Sequence, residues 1–168
     1  MEASSSPERM RRLARVRNQG LAVLRHMHHE TPFDRVVVAD ADVWWESHQL
    51  RDVLTKTWPR GVKAVASHGI NWWGQTYDTH ALRKKDEAFP QKPDTWGAWL
   101  SRTHNQVTGD YNRSLNVQSA FGGVAAYDAK AMLQGSAMYD APDGDCEHVA
   151  LHRSLGGVHV PGKFIVQH

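Results

Sequence analysis

The sequence has little cysteine, no long apolar run and almost no net charge, and each absence excludes a class of protein. Its one cysteine, Cys146, cannot form an internal disulfide, which is typical of a reducing compartment. No apolar run reaches the roughly 20 residues of a membrane-spanning helix, and the opening MEASSSPERMRR lacks the apolar core of a signal peptide. A net charge of +2 does not indicate nucleic-acid binding. We therefore expect a cytoplasmic protein with no membrane span and no nucleic-acid partner.

The composition that remains is that of one globular domain. The chain of 168 residues is long enough for a single core, and its 40% apolar and 23% charged residues are ordinary for such a domain. We therefore expect residues 1–168 to form one domain. The Ser-rich residues 1–6 are expected to be disordered.

Helical and extended patterns alternate along the chain. The first helix is predicted to begin at Pro7, with Ser6 as N-cap, and to run to about His29. Helical spacing predicts that one face of it carries Arg17 near its middle among Met10, Leu13, Ala14, Leu21, Leu24 and His28. The other predicted elements are helices in ESHQLRDVLTKTW, after Asp128 and after Asp145 (its N-cap), and apolar strands at 35–39, 62–67 and 122–128. This alternation predicts an α/β fold with a mixed, mostly parallel sheet flanked by helices. The fully apolar strand 35–39 is expected in the middle of that sheet.

Two acids directly follow the predicted strand 35–39. Asp40 and Asp42 stand one residue apart where the run FDRVVVADADVWW changes from apolar to charged. Ligands of α/β folds bind beyond the carboxyl ends of strands, and Mg²⁺ or Mn²⁺ binds through one or two carboxylates plus substrate phosphates. The alternative is a solvated turn, because Asp is common where strands end. Both interpretations, a metal site for a diphosphate and a polar turn, are open at this point.

Several motifs, taken together and in order, resemble those of a known family. They are RLARVRNQGL, FDRVVVADADV, YDTHALR, VQSAFGGVAAYDAKAM and CEHVALHRSL, which lie within residues 9–161. They are similar to motifs of nucleotide-sugar glycosyltransferases of the GT-A fold. Within that fold they most resemble the fungal capsule α-1,3-mannosyltransferase-like group and related bacterial and large-virus enzymes. The resemblance implies a Mn²⁺- or Mg²⁺-dependent transfer of a sugar from a UDP- or GDP-sugar to a glycan hydroxyl.

The resemblance also implies roles for single residues. Asp42 would be the metal ligand, Asp40 would lie near the ribose or the metal's water shell, and His168 would complete the metal site. From helical spacing alone, Arg17 either snorkels at the core edge or is aimed at a buried anion. The implied donor-binding residues are Arg17 and Asn18 by the nucleotide, Tyr77, Asp78 and Arg83 on the sugar or acceptor side, and Ser119, Phe121, Gly122 and Gly123 beneath the donor sugar.

Two acids near the last predicted helix are the implied catalytic carboxylates. Glu147 is the preferred general base, which would deprotonate the acceptor hydroxyl in an inverting enzyme. In a retaining enzyme Glu147 would instead contact the donor sugar. Asp145 is the second candidate, with helix capping as its alternative role. On the same helix, His148 and His152 stand four residues apart, either as a metal pair or as ordinary surface or core histidines.

The chain departs from the GT-A pattern at its start. The strand–helix–strand unit that normally opens that fold has no counterpart before the first helix, so the N-terminal part is expected to be missing. A sheet edge exposed in this way would favour a homodimer. Residues 68–118 show little periodicity and are expected to form a long loop region. Its tryptophans either stack on sugars or pin the loop to the body: Trp72, Trp73, Trp96 and Trp99.

Other functions are weighed against the same sequence. A non-catalytic remnant of the fold would bind glycans or a partner through the Trp-rich loops. A nucleotidyltransferase would need a Gly-rich phosphate loop with a basic residue near the chain start, which the sequence lacks. Nucleic-acid binding would rest on the stretch RMRRLARVR, much of whose charge lies on an ordinary solvated helix face.

Overall fold

A computed structural model describes residues 7–56, 58–70, 81–83, 114–142 and 145–168. The described helices are α1 (Pro7–Glu30), α2 (Ser47–Thr55), α3 (Ala129–Leu133) and α4 (Glu147–Leu155). The described strands are β1 (Arg35–Ala39), β2 (Trp44–Trp45), β3 (Ala64–Ala66), β4 (His68–Ile70), β5 (Leu115–Val117), β6 (Val124–Asp128), β7 (Val158–Val160) and β8 (Ile165–Gln167). The predictions for Ser6, for disorder of residues 1–6 and for Trp72, Trp73, Trp96 and Trp99 concern positions outside these ranges.

The described strands form two sheets. The five-stranded sheet has the order β1-β6-β3-β7-β5, and the three-stranded sheet has the order β2-β8-β4. Antiparallel pairs are β1–β6, β3–β6, β5–β7 and β2–β8, whereas β3–β7 and β4–β8 are parallel. The mixed α/β class is confirmed, but the expected predominance of parallel pairs is wrong for these strands. A buried apolar strand indicates covered faces, not the direction of its neighbours, and β6 runs opposite to both strands beside it.

Strand β1 lies at one end of the five-stranded sheet. Its partner among the described strands is β6, with Val38 opposite Ala125. Val36 is buried on one face, whereas Val37 on the other face is 40% exposed. The expectation of a central strand is therefore wrong for the described part of the chain. A run of valines fits one buried and one open face as well as two buried faces.

Helices cover both faces of the five-stranded sheet. The main core joins α1, α3 and α4 to one face, and a smaller cluster joins α2 to the other. Neighbouring residues of β3 contribute to different sides, because Ala64 lies in the main core and Val65 in the smaller cluster. The predicted apolar face of α1 is confirmed by its buried residues, Met10, Ala14 and Leu21.

The helix ends are set by short-range chemistry. Helix α1 begins at Pro7, as predicted, because proline's fixed φ and missing N–H suit the first helical position. The N-cap of α4 is Cys146, so the prediction of Asp145 as N-cap is wrong by one residue. Asp145 still accepts a hydrogen bond from the Cys146 N–H at 2.8 Å. Helix α4 ends at Leu155 and is capped by Gly156, whose φ of +87° is the left-handed conformation typical of a glycine C-cap.

The length and apolarity of the described helices show whether any of them could cross a membrane. None of them combines the length and the apolarity that crossing a bilayer requires.

Candidate functional site

Three segments meet just beyond the end of β1. The backbone N–H of Asp40 donates to the carbonyl oxygen of Gly123 at 2.9 Å. The pairing of β2 with β8 brings His168 beside Val43, and His168 Nε2 lies 3.4 Å from the carbonyl oxygen of Gly122. A Cβ on Gly123 would lie 2.8 Å from both His168 Nε2 and Val43 Cγ1. Glycine at position 123 therefore lets the D-x-D loop and His168 approach the same turn.

The Gly122–Gly123 turn is also held against the end of β3. Gly122 has a φ of +60°, and a Cβ there would collide with the carbonyl oxygen of Ser67. The Ser67 hydroxyl donates to the carbonyl of Gly122 at 2.8 Å. Residues 122 and 123 thus form a tight turn that packs closely against the residue after β3. Its contact with a donor sugar stays a prediction.

The two acids of the D-x-D motif have different surroundings. Asp40 is half-buried, and its Oδ1 accepts from Arg17 Nη2 at 3.1 Å. Asp42 is exposed, and its side chain has no hydrogen bond or ion pair to any residue in the described ranges. Asp42 is therefore the carboxylate that is available to a ligand, and Asp40 is the one that the protein already neutralises.

Arg17 connects the D-x-D loop to helix α4. Its Nη2 binds Asp40 and its Nε lies 3.0 Å from Glu147 Oε1. The guanidinium also lies 5.1 Å from the ring centre of Phe121 and 5.7 Å from that of Tyr139, within the range of cation–π attraction. Burial opposes its charge, but Glu147 and Asp40 outweigh burial and raise the pKa of Arg17. The buried anion beside Arg17 is thus Glu147, and binding of Arg17 to a nucleotide stays a prediction.

Glu147 is a buried partner of Arg17. Its side chain is 4% exposed, and its Oε2 lies 3.7 Å from Cys146 Sγ. A general base must reach the hydroxyl that it deprotonates, and a buried, ion-paired carboxylate has no such access in this conformation. The role of Glu147 as general base stays a prediction, and the geometry adds a second role, which is to hold Arg17 in place.

Asp145 and Arg83 form a second buried ion pair. Arg83 Nη2 donates to Asp145 Oδ1 at 2.8 Å, and both side chains are 10% exposed. The backbone of Arg83 pairs with Ser119, whose carbonyl accepts from the Arg83 N–H at 2.9 Å. The structure thus brings together three of the predicted site residues, while their roles toward donor and acceptor stay predictions. Tyr77 and Asp78 lie outside the described residues.

Asn18 fixes the position of Tyr139. Its Nδ2 donates to the Tyr139 carbonyl at 2.8 Å, and its Oδ1 accepts from the Tyr139 N–H at 2.9 Å. Both ends of the amide are therefore used on one residue of the backbone, and contact with a nucleotide stays a prediction. Sequence reasoning missed Tyr139, because the two positions are 121 residues apart and no local pattern joins them.

His148 and His152 belong to the core. His152 Nδ1 lies 2.9 Å from Ser119 Oγ, and its Nε2 lies 2.9 Å from the hydroxyl of Tyr127. His148 stacks on Phe121 with ring centres 3.8 Å apart. Burial lowers the pKa of His152 to about 3, with a smaller contribution from Arg17. Burial also lowers the pKa of His148, so both histidines are neutral and the interpretation as core histidines is confirmed.

These histidines predict an acid-sensitive fold. An unfolded histidine binds a proton near pH 6.5 and folded His152 only near pH 3, so the unfolded state binds more protons between these values. We expect the free energy of unfolding to fall as the pH drops below about 6.5, by up to about 1.4 kcal/mol per pH unit for each buried histidine. Urea unfolding midpoints between neutral pH and about pH 5 measure this slope.

Matched variants test whether His152 causes this pH dependence of the free energy of unfolding. His152→Gln, which keeps a polar side chain in the core, should flatten it, and His26→Gln, at an exposed position of α1, should leave it unchanged. A midpoint of the wild-type chain that does not vary with pH in this range would contradict the buried neutral state.

The residues at the D-x-D loop suit a divalent cation. Within the described ranges no group of three or more His, Cys, Asp and Glu side chains is arranged to hold a metal. Mg²⁺ and Mn²⁺ do not require such a group, because they bind through one or two carboxylates together with water and substrate phosphates. The exposed carboxylate of Asp42 fits that pattern, and His168, which follows β8, lies beside the Gly122–Gly123 turn next to the loop.

Comparison with known proteins adds the family. The family model described as Cryptococcal mannosyltransferase 1 matches residues 1–154. The match includes the D-x-D loop, the Gly122–Gly123 turn and Glu147, and it ends before His168. No curated protein is significantly similar to the chain.

Proposed function

Because the chain belongs to the Cryptococcal mannosyltransferase 1 family and is therefore a glycosyltransferase, we propose that it transfers a sugar from a UDP- or GDP-sugar to a glycan hydroxyl with Mn²⁺ or Mg²⁺. One observation carries the proposal. The exposed carboxylate of Asp42 lies two residues from Asp40, whose charge is shared with Arg17, at the end of β1. The site thus contains Arg17, a cation that can bind phosphate, and Asp42, an acid that can bind a metal. A nucleoside diphosphate with its metal requires both.

The D-x-D loop is proposed to hold the metal. Asp42 would be its first ligand, with Asp40 and His168 on the neighbouring backbone segments. A bound divalent cation would supply Lewis-acid stabilisation of the diphosphate leaving group. The described turn at Gly122 and Gly123 would place the backbone, free of side chains, against the donor sugar.

Arg17 is proposed to bind the donor phosphates. Its side chain is 18% exposed, and its contacts with Glu147 and Asp40 fix the position of the guanidinium near the D-x-D loop. A planar guanidinium binds phosphate oxygens in a bidentate manner, which adds orientation to charge. Glu147 and Tyr139 would therefore contribute to donor binding by positioning Arg17.

The proposal is tested by calorimetric titration of the chain with UDP and GDP, each with Mn²⁺ and with EDTA. We expect one of the two nucleotides to bind in the presence of Mn²⁺ and binding to be lost with EDTA, because the metal joins the carboxylates to the diphosphate. The nucleotide that binds identifies the base of the donor. Equal binding with Mn²⁺ and with EDTA would overturn the metal-dependent reading of the site.

A second candidate function is a non-catalytic glycan- or partner-binding remnant of the fold. It is favoured by the state of the two candidate catalytic acids, since Asp145 and Glu147 are both ion-paired to arginines. It predicts that a folded chain binds neither nucleotide. A cytoplasmic location and a homodimer favoured by an exposed sheet edge also stay predictions.

A further inference from the structure

An open groove runs between helix α1 and the segment 138–140. Its cavity of about 480 Å³ has Arg11 and Arg15 on one wall and Met138, Tyr139 and Asp140 on the other. Its described lining also includes Asn18, but no residue of the D-x-D loop. We call it the α1 groove.

The α1 groove continues along the helix into a second cavity. This cavity of about 420 Å³ is lined by Glu8, Arg9, Arg12 and the same two arginines, Arg11 and Arg15. The two cavities together extend over the first turns of α1. The chain as a whole carries only +2, so the positive charge of this surface is a local concentration.

Three arginines of the groove have their guanidinium groups available. Arg11, Arg12 and Arg15 are exposed, and none of them has an ion pair or hydrogen bond to a residue in the described ranges. Neither Arg11 nor Arg15 has a described ion pair with Asp140, which lines the same cavity. Arginine differs from lysine in presenting a planar fork that matches the two oxygens of a carboxylate.

The floor of the α1 groove is apolar and is formed by small side chains. Ala14 and Ala22 have short side chains that leave space above the helix backbone. Met138, which is 53% exposed, adds apolar surface at the edge of the cavity. Such a surface suits the C–H face of a sugar ring, flanked by cations at the positions of its substituents. Among the described residues that line the groove, the aromatic one is Tyr139, which is buried and presents no exposed ring to a nucleobase.

Tyr139 connects the groove to the proposed donor site. It lines the cavity, is clamped by Asn18, and its ring lies 5.7 Å from the guanidinium of Arg17. A ligand in the groove would therefore lie on the far side of the side chain that packs against Arg17.

We propose that the α1 groove binds a glycan that carries carboxylate groups, and that the acceptor is an acidic saccharide. Arg11 and Arg15 hold a carboxylate of the glycan, and the apolar surface of Ala14, Ala22 and Met138 contacts a neighbouring sugar ring. The role of this glycan as acceptor rests on the proposed glycosyltransferase function, whereas its binding to the groove does not.

The test is calorimetry of the full chain with a short oligosaccharide of uronic acids, without nucleotide. The same oligosaccharide with its carboxyl groups reduced to alcohols and a short DNA duplex are compared with it at physiological salt. We expect binding of the acidic form and at least about tenfold weaker binding of the reduced form, since a charge-assisted bidentate contact is worth that much.

Matched variants separate the groove from bulk charge. Arg11→Gln/Arg15→Gln should weaken the acidic oligosaccharide at least about tenfold. Arg51→Gln/Arg60→Gln, which removes the same charge from exposed positions outside the groove, should leave binding unchanged. Circular dichroism confirms that both variants are folded.

Three outcomes would overturn the inference: equal binding of the acidic and reduced oligosaccharides, equal loss in both double variants, or tighter binding of the DNA duplex. Mn²⁺-dependent nucleotide binding is measured on the same samples. Its absence from the wild-type chain would count against the proposed function, whereas its preservation in Arg11→Gln/Arg15→Gln is what we expect for a separate glycan groove.

Discussion

The variant Asp42→Asn is expected to lose Mn²⁺-dependent nucleotide binding and to transfer sugar at least about a hundredfold more slowly, with its fold intact. Asp42 is the exposed acid of the D-x-D motif with no partner in the described ranges, so its charge stabilises no described contact. An amide of the same shape removes that charge and weakens the site for a hard cation. Titration calorimetry and a donor-sugar hydrolysis or transfer assay measure the two losses.

Asp34→Asn is the matched control for this prediction. Asp34 is an exposed acid at the other end of the same strand, just before β1, and the contacts described for it use its backbone carbonyl. This variant should bind and transfer like the wild-type chain. Both variants should unfold within about 0.5 kcal/mol of the wild type, since surface substitutions away from special features usually do. Unchanged nucleotide binding and transfer in Asp42→Asn would refute the assignment of this acid to the metal.

The variant Arg17→Met is expected to lose about 3–5 kcal/mol of folding free energy, which is typical when one partner of a buried pair is removed. Glu147, 3% exposed, would keep its charge in the core without a partner. Arg17 also packs against the rings of Phe121 and Tyr139, so its loss affects more than one contact. Chemical denaturation of the purified variants gives the free energy of unfolding.

A double variant separates charge from packing. Arg17→Met/Glu147→Gln removes both partners, and we expect it to recover a large part of the lost stability, because an uncharged pair of similar size leaves no buried charge. Arg12→Met, at an exposed position of the same helix, should be nearly neutral. An Arg17→Met variant as stable as Arg12→Met, or a double variant no more stable than Arg17→Met alone, would contradict this account.

The single variant Glu147→Gln distinguishes the two roles of that acid. If Glu147 acts only as a general base, kcat falls and the affinity for nucleotide stays the same. If it positions Arg17, the affinity for nucleotide falls as well. The contact between Glu147 Oε1 and Arg17 Nε favours the second pattern.

Local chemistry explains which elements could be predicted. Proline at the start of α1, the apolar face of that helix and a helix directly after Asp128 were predicted from patterns of a few residues, and each is confirmed. The cap of α4 was predicted one residue too early, because Asp145 and Cys146 both precede the helix and only the backbone angles select one. Strand direction and the position of β1 at the end of the sheet depend on partners distant in the chain, such as β6.

In the candidate site, too, features of neighbouring residues could be predicted, whereas contacts between distant residues could not. The D-x-D spacing, the Gly122–Gly123 pair and the arginine on an apolar helix face were visible as patterns of neighbouring residues. The interpretation of His148 and His152 was left open, because four-residue spacing is equally suitable for a metal pair and for core packing. Contacts with Ser119 and Tyr127 resolved it, and these residues are 33 and 25 positions from His152.

The sequence by itself determined the α/β class, the start and buried face of α1, and the set of charged and glycine residues from which a site could be built. Only the tertiary structure decided how those charges are distributed: Asp42 exposed, Asp40 shared with Arg17, and Glu147 buried against the same guanidinium. The physical reason is the distance along the chain over which each effect acts. Capping and amphipathicity act between residues a few positions apart, whereas burial and ion pairing depend on which distant segments pack together.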